Sequence, residues 1–254
     1  MGSIVIVFVI IIVLVVAIAV TAVVYVIFMG GTGKDLGKTE GSNMTNSSLV
    51  MTTMKELLGN FTQMTIGYVL NSSVSSQNAN ASLSYSIIGR PEINGTALTE
   101  YDFTFSTYSD LGLQSSNSSL IYYNLQGNIV LATIDGMNFT GSNTAYANFL
   151  LLPFSIFLNF QKYFFENASV FSSFTIVSSS SESFGNLTMP VTTYRAANIQ
   201  YENDIVQNMT VKVGQPVGRN YELTTFVSIQ GATSGGNNQG SLVVNLISAT
   251  EAVS

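Results

Sequence analysis

Two pairs of acidic residues are the side chains in this sequence whose spacing most suggests chemistry. Glu100 and Asp102 stand two positions apart, as do Glu202 and Asp204, so the members of each pair would share one face of a β-strand. Paired carboxylates suit general acid–base catalysis or Ca²⁺ binding. Neither pair is accompanied by a second motif, and we therefore expect solvated acidic side chains along strands.

The residue types that most enzymes need are missing from the sequence. It contains no His and no Cys, which removes the usual general base, the commonest metal ligand and any thiolate nucleophile. The serines of "SSSS", Ser178–Ser181, read as a loop and would have no His to activate them. The sequence also lacks a Gly-rich phosphate loop, a GxSxG elbow and an EF-hand loop. We predict no enzymatic activity, no catalytic residue, no cofactor and no metal site.

The charge distribution argues against nucleic-acid binding. Charged residues are 9% of the sequence, and 14 acids against 8 bases give a formal net charge of -6. The bases are spread from Lys34 to Arg219 without the cluster that phosphate binding requires. So few ionisable groups also predict a stability that varies little in acid.

Glycosylation acceptors are frequent. The pattern Asn-x-Ser/Thr predicts N-linked glycans and therefore an extracellular body. The acceptor residues are Asn43, Asn46, Asn60, Asn71, Asn80, Asn94, Asn117, Asn138, Asn167, Asn186 and Asn208.

The sequence opens with an apolar stretch, "IVIVFVIIIVLVVAIAVTAVVYVIFM", residues 4–29, and its first charge is Lys34. As a helix it would be about 39 Å long, enough to cross the roughly 30 Å of bilayer hydrocarbon. Three interpretations compete: a cleaved signal, a single-pass anchor and the core helix of a filament. A signal would normally have a basic start and a shorter apolar run.

An uncharged helix at residues 1–33, ended by the glycines of "MGGTG" and followed by a β-rich, sequon-rich body, resembles archaeal type IV-like pilins. Val5 stands where bacterial type IV pilins usually carry Glu, which favours the archaeal relatives. The resemblance implies a homopolymer whose subunits pass from the membrane into a filament core. The assembly residues it implies are Ile4, Phe8, Ile12, Val15, Ala17, Ala19, Val23 and Phe28.

Alternating polar and apolar residues predict a mainly β fold after the opening helix. In "SLSYSII" Leu83 and Tyr85 share one face, and in "YDFTFST" Tyr101 and Phe103 do. Asp135-Gly136 predicts a hairpin turn, and residues 129–134 read as a central strand. We predict a hydrophobic helix over 1–33, a polar glycosylated linker over 34–50, and an extracellular head over 51–254. The head is expected to be an antiparallel β-sandwich or bent sheet with one internal amphipathic helix.

That internal helix is predicted at "PFSIFLNFQKYFFE", residues 153–166. Its polar residues Ser155, Asn159, Lys162 and Glu166 form one helical stripe. It would be a core helix, the wall of an apolar-ligand pocket, or a surface lying on a membrane or partner.

Two functions follow from these features. The first is a structural subunit of an extracellular pilus-like filament, with a glycosylated head exposed for adhesion or surface interaction. The alternative is a single-pass, membrane-anchored extracellular binding domain for an apolar ligand or a cell-envelope partner. The expected partners are copies of the chain, the membrane and N-linked glycans, with no nucleic acid.

Overall fold

A computed structural model describes residues 58–72, 77–109, 112–134, 136–141, 173–201, 204–233 and 239–252, together with positions 144, 154, 157, 158 and 160. The described part consists mainly of twelve β-strands. They are β1 (Phe61–Ser72), β2 (Gln77–Gly89), β3 (Glu92–Ile93), β4 (Thr96–Ser109), β5 (Gly112–Asn124), β6 (Ile129–Ile134), β7 (Met137–Thr140), β8 (Thr175–Phe184), β9 (Leu187–Tyr201), β10 (Asp204–Gly214), β11 (Leu223–Thr233) and β12 (Gln239–Glu251).

These strands form a single antiparallel sheet in the order β7-β6-β5-β4-β2-β1-β12-β11-β10-β9-β8, with β3 paired to β4 beside this path. Each half of the chain is a meander of neighbouring strands. The two halves join at the centre, where β1 pairs with β12 and Ile66 lies opposite Leu246. The first and last strands therefore connect the halves, and β7 and β8 are the outermost strands of the described sheet.

The two faces of the sheet differ in chemistry. One, which we call the aromatic face, carries buried side chains such as Met64, Tyr85 and Phe103, which lie opposite one another across β1, β2 and β4. The other, the polar face, carries hydroxyl residues on the same strands, and Ser106 and Ser116 meet there with oxygens 3.0 Å apart. The strict alternation along each strand produces this separation.

Tight turns connect several of the strands. Asn94 and Gly95, with φ of 51° and 74°, join β3 to β4, as expected for the Asn-Gly pair of a two-residue hairpin. Gly136, with φ of 76°, lies in the turn where Ile134 pairs with Met137. Gly185, between β8 and β9, forms a bridge to Ala249 of β12, so the tip of that hairpin packs against the central part of the sheet.

The predicted architecture of a long helix followed by a sandwich is wrong. The described strands make one sheet, and no long amino-terminal helix and no amphipathic helical element over 153–166 is among the described elements. The described positions of that segment, Phe154, Phe157, Leu158 and Phe160, have helical backbone and are buried. Its polar stripe lies outside the described residues. Alternation shows which side of a strand is buried, but it does not distinguish one sheet from two.

Two local predictions are also corrected. The stretch 129–134 is β6, next to the edge strand β7 rather than central, and Val130 is 41% exposed. The serines Ser178–Ser181 lie within strand β8 and not in a loop, because hydroxyl side chains are tolerated on an exposed edge. Residues 1–57, which hold the predicted hydrophobic helix and polar linker, lie outside the described residues. Among the helices described, none has the length and apolar character needed to cross a membrane.

Candidate functional site

A cluster of aromatic rings occupies the middle of the aromatic face. Tyr85 is its centre: its ring centroid lies 5.6 Å from that of Phe103, 6.0 Å from that of Tyr101 and 5.2 Å from that of Phe154. Tyr101 in turn meets Tyr123 edge to face at 5.4 Å. These are the separations and orientations that aromatic pairs prefer. We call these five residues the tyrosine cluster.

Several hydroxyls at the aromatic face are buried without a hydrogen-bond partner. Tyr101 donates from Oη to the carbonyl oxygen of Leu58 at 3.2 Å. By contrast, Tyr85, Tyr123 and Tyr221 have no partner within the described part of the chain, and the same holds for Tyr68 further along β1. An unmade hydrogen bond at a buried hydroxyl costs about 1–3 kcal/mol. Buried hydroxyls of this kind call for an explanation, and an ordered water or a bound molecule can each supply the missing bond.

Burial raises the pKa of these phenols above the ordinary value of about 10. It raises the pKa of Tyr85 well above the usual value, and the neighbouring Tyr101, Tyr221 and Tyr123 add to the rise. Burial also raises the pKa of Tyr68 and of Tyr123, and it raises that of Tyr221 to about 12. At neutral pH the hydroxyls are therefore neutral donors and acceptors, suited to holding a neutral oxygen group and unsuited to removing protons.

The acidic residues singled out from the sequence lie on the polar face, away from the tyrosine cluster. Glu100 accepts a hydrogen bond from Tyr122 Oη at 2.6 Å, and Asp102 accepts one from Ser118 Oγ. Each carboxylate is thus satisfied by a hydroxyl of β5. Glu202 and the side chain of Asp204 lie outside what the structure describes. No group of His, Cys, Asp or Glu in the described ranges is arranged to hold a metal ion.

The predicted glycosylation sites are mostly accessible where they are described. Asn60 is half-buried, and six acceptor residues are exposed: Asn80, Asn94, Asn117, Asn138, Asn186 and Asn208. The pattern around Asn208 agrees with the alternation of its strand, because Met209 and Val211 are buried beside it. Asn43, Asn46, Asn167 and the side chain of Asn71 lie outside the described residues, as do the eight residues of the predicted assembly helix.

Sequence reasoning did not identify the tyrosine cluster as a site. Alternation placed Tyr85 and Tyr101 on the buried side of their strands, and both are buried. It gave no indication that the Tyr101 hydroxyl would bond to a backbone carbonyl while the Tyr85 hydroxyl would have no partner in the described part of the chain. A concentration of Tyr at buried strand positions is the signal that was available, because buried Tyr usually needs a partner for its hydroxyl.

Comparisons with known proteins give no family. No family model and no curated protein matches the chain. An exported protein of Bacteroides fragilis with a YmcC-like fold is 11% identical, covering 76% of this chain and 95% of its own, with a TM-score of 0.23. A lipoprotein of Parabacteroides distasonis is 9% identical over 75% and 99%, with a TM-score of 0.22. A β-barrel-like protein of Brucella abortus is 8% identical over 76% and 98%, with a TM-score of 0.23. Likenesses this weak establish neither family nor function.

The resemblance to archaeal type IV-like pilins is wrong. The described body is a single twelve-stranded sheet. The resemblance rested on a hydrophobic pattern at residues 1–33, and many unrelated proteins have such a pattern. A filament subunit is therefore not supported.

Proposed function

We propose that this chain is an extracytoplasmic binding protein that holds an apolar molecule through one neutral oxygen group, such as an ester, amide or alcohol. The observation that carries the proposal is the set of buried, unpartnered hydroxyls of Tyr85, Tyr123 and Tyr221 on an otherwise apolar face. A ligand oxygen placed among them would complete hydrogen bonds that the described residues leave unmade. The rings around them would cover its hydrocarbon.

The electrostatics favour a neutral ligand group over an ionised one. The three phenols are neutral at physiological pH, since the ordinary pKa of Tyr is about 10 and burial raises each pKa further. Arg219, the cation that acts on Tyr221, is already paired with Glu251 at 3.1 Å. A second cation, Arg90, acts on Tyr101 but is exposed. A carboxylate or phosphate buried among the three phenols would lose its hydration, which is costly. A carbonyl or hydroxyl oxygen needs only the phenol donors.

The extracytoplasmic location is supported by the sequons. Six acceptor asparagines are exposed, and they are spread over strands and turns in both halves of the sheet. Glycan transfer requires such exposure on the outer side of the membrane. A binding role is preferred to a catalytic one because neutral phenols neither take up protons nor act as nucleophiles at pH 7.

Binding is tested on the full chain, purified without detergent, with the methyl ester of the fluorescent fatty acid parinaric acid. The protein has 12 Tyr and no Trp, so tyrosine emission transferred to the probe reports binding directly. We expect saturable binding that Tyr85→Phe and Tyr123→Phe each weaken about tenfold, the equivalent of about 1.4 kcal/mol for one lost hydrogen bond.

The matched control is Tyr101→Phe. Its hydroxyl is already used by the carbonyl oxygen of Leu58, so this variant should bind the probe as the unmodified chain does. Equal weakening by all three substitutions would indicate general disruption of the aromatic face. Unsaturable binding, or binding unaffected by Tyr85→Phe and Tyr123→Phe, would contradict the proposal.

A further inference from the structure

Strand β8, Thr175–Phe184, forms one edge of the described sheet. Within the described sheet it pairs with β9 alone. Residues 175–181 are all exposed, and they include Ile176 at 65% and Val177 at 50%. An edge strand presents a row of backbone N–H and C=O groups with which another strand can pair.

The usual protections of an edge strand are weak in β8. Natural sheets keep edge strands short, place Lys or Pro on them, or twist them away with a β-bulge. The opposite edge, β7, has only 4 residues and carries the acceptor Asn138. Strand β8 has 10 residues and contains no Lys, Arg, Pro or Asn. Its register is irregular between Ile176 and Ser178, and the serines beyond that point pair regularly with β9.

Strand β8 also carries no unpaired charge. Glu182 is the charged residue of β8, and its carboxylate Oε1 lies 2.8 Å from Lys212 Nζ of β10. A partner selected by charge would need an unpaired charge on this strand, and β8 offers none. The feature that β8 does offer is a run of four exposed serines, whose small side chains let a second backbone approach to pairing distance.

We propose that β8 pairs antiparallel with β8 of a second copy of this chain, about a two-fold axis within Ser178–Ser181. With the axis at Ser179, which then lies opposite its own copy, Glu182 of each chain lies opposite Ile176 of the other. The two Glu182 residues are then about 20 Å apart along the strands, at about 3.4 Å per residue. That separation exceeds the Debye length of about 8 Å at physiological ionic strength. Such a self-complementary contact closes as a dimer and leaves β7 free.

Single cysteines locate the contact, because the chain has no Cys of its own. Val177→Cys, Ser179→Cys, Ser180→Cys and Ser181→Cys are oxidised mildly in the full chain, and disulfide-linked dimer is measured. Ser116→Cys, exposed on the interior strand β5, is the matched control. We expect the yield to peak at position 179, at about five times the control or more, because a disulfide needs its two Cβ atoms about 3.5–4.5 Å apart.

Added charge tests the same contact without a cross-link. Ser179→Lys combined with Ser180→Lys places four cations at the axis and should raise the dimer dissociation constant at least about tenfold, the equivalent of about 1.4 kcal/mol. Met137→Lys on β7 carries a charge to the other edge and should leave the dimer unchanged. Sedimentation equilibrium measures both. A chain that is monomeric up to about 1 mM, a dimer equally weakened by Met137→Lys, or cross-linking no higher than at Ser116 would overturn the proposal.

Discussion

The rings of Tyr85 and Tyr101 meet edge to face with centroids 6.0 Å apart, yet their hydroxyls differ completely in hydrogen bonding. Tyr101 donates to the carbonyl oxygen of Leu58, whereas Tyr85 has no partner among the described residues. The two side chains are on neighbouring strands and both are buried. They therefore form a matched pair, in which the contribution of a tyrosine hydroxyl to the free energy of unfolding can be measured with and without a hydrogen bond.

The first prediction compares Tyr85→Phe with Tyr101→Phe in the ligand-free chain. Removing the Tyr85 hydroxyl should raise the free energy of unfolding by about 1 kcal/mol or more, because it relieves an unmade hydrogen bond. Removing the Tyr101 hydroxyl should lower the free energy of unfolding by about 1 kcal/mol and leave the Leu58 carbonyl unpaired. Urea unfolding monitored by circular dichroism measures both. A loss of stability in Tyr85→Phe would mean that its hydroxyl is bonded in solution.

The second prediction concerns alkaline pH. The pKa of Tyr221 is raised to about 12 by burial, and that of Tyr122 is raised to about 12 mainly by its hydrogen bond to Glu100. Unfolded tyrosines release their protons near pH 10, so between about pH 10 and 12 the unfolded state holds fewer protons than the folded state. The free energy of unfolding should therefore be constant up to about pH 9 and fall steadily above about pH 10.

Phenolate absorbance and circular dichroism recorded together check this expectation. The buried tyrosines should ionise in the same narrow pH interval in which the sheet unfolds. Tyr122→Phe is the control, since Tyr122 is bonded to Glu100 on the polar face, outside the tyrosine cluster, and its removal should leave that joint transition in place. Ionisation of all tyrosines well before unfolding would show that the aromatic face is open to solvent.

The third prediction concerns the acid side. Burial raises the pKa of Glu222 in the folded chain. This raised pKa favours folding most below the unfolded value of about 4.5, and the contribution declines as the pH rises through the folded pKa. Stability should therefore not fall as the pH is lowered from 7 to 4, and Glu222→Gln should remove the small gain. Thermal unfolding at several pH values tests this, and a steep acid loss would contradict it.

The local structure of the strands and turns was largely predictable from the sequence. Alternation placed Leu83, Tyr85, Tyr101 and Phe103 on the buried side, and all four are buried. The Asp-Gly pair correctly marked the turn between β6 and β7. These predictions succeeded because both features depend on residues that are close in sequence. Side chains of a strand alternate between its two faces, and a tight turn needs residues that tolerate a positive φ.

The arrangement of the strands was not predictable in the same way. Pairing of β1 with β12 joins Ile66 to Leu246, and nothing within either strand specifies a partner so distant in the chain. The sandwich was therefore as compatible with the pattern as the single sheet. Whether a tyrosine hydroxyl forms a hydrogen bond depends on differences of a few tenths of an ångström in interatomic distance. Such differences cannot be derived from the sequence, so the candidate site was identified only in the structure.

The fourth prediction is that glycans occupy the six exposed acceptors, and that Asn60 is modified less. Asn60 is half-buried and its carbonyl oxygen accepts a hydrogen bond from Ala252 N at 2.8 Å, which holds this backbone in place. Peptide mapping by mass spectrometry of protein from its native source measures occupancy. Unmodified Asn80, Asn117 and Asn208 would remove the support for an extracytoplasmic location while leaving ligand binding untouched.

The last prediction concerns the close contact between Gly214 at the end of β10 and Met189 of β9. A Cβ added at Gly214 would lie 2.7 Å from Met189 Sδ, closer than side chains tolerate, and 3.1 Å from Val191 Cγ2, which is a tight contact. Met189 is fully buried and has little room to move. Gly214→Ala should therefore lower the free energy of unfolding by about 1–3 kcal/mol, the usual cost of overpacking a core. Chemical denaturation of the full chain measures it.

Two further variants separate crowding from any general effect of replacing glycine. Gly59→Ala is the control, since a Cβ there meets nothing within 4 Å and the backbone is helical, so its stability should be unchanged or slightly higher. Met189→Ala should be destabilising alone because it opens a cavity. Combined with Gly214→Ala it should cost less than the sum of the two single changes, because the new methyl group then occupies space that Met189 has left. Strictly additive effects would mean that Gly214 is required for a reason other than this contact.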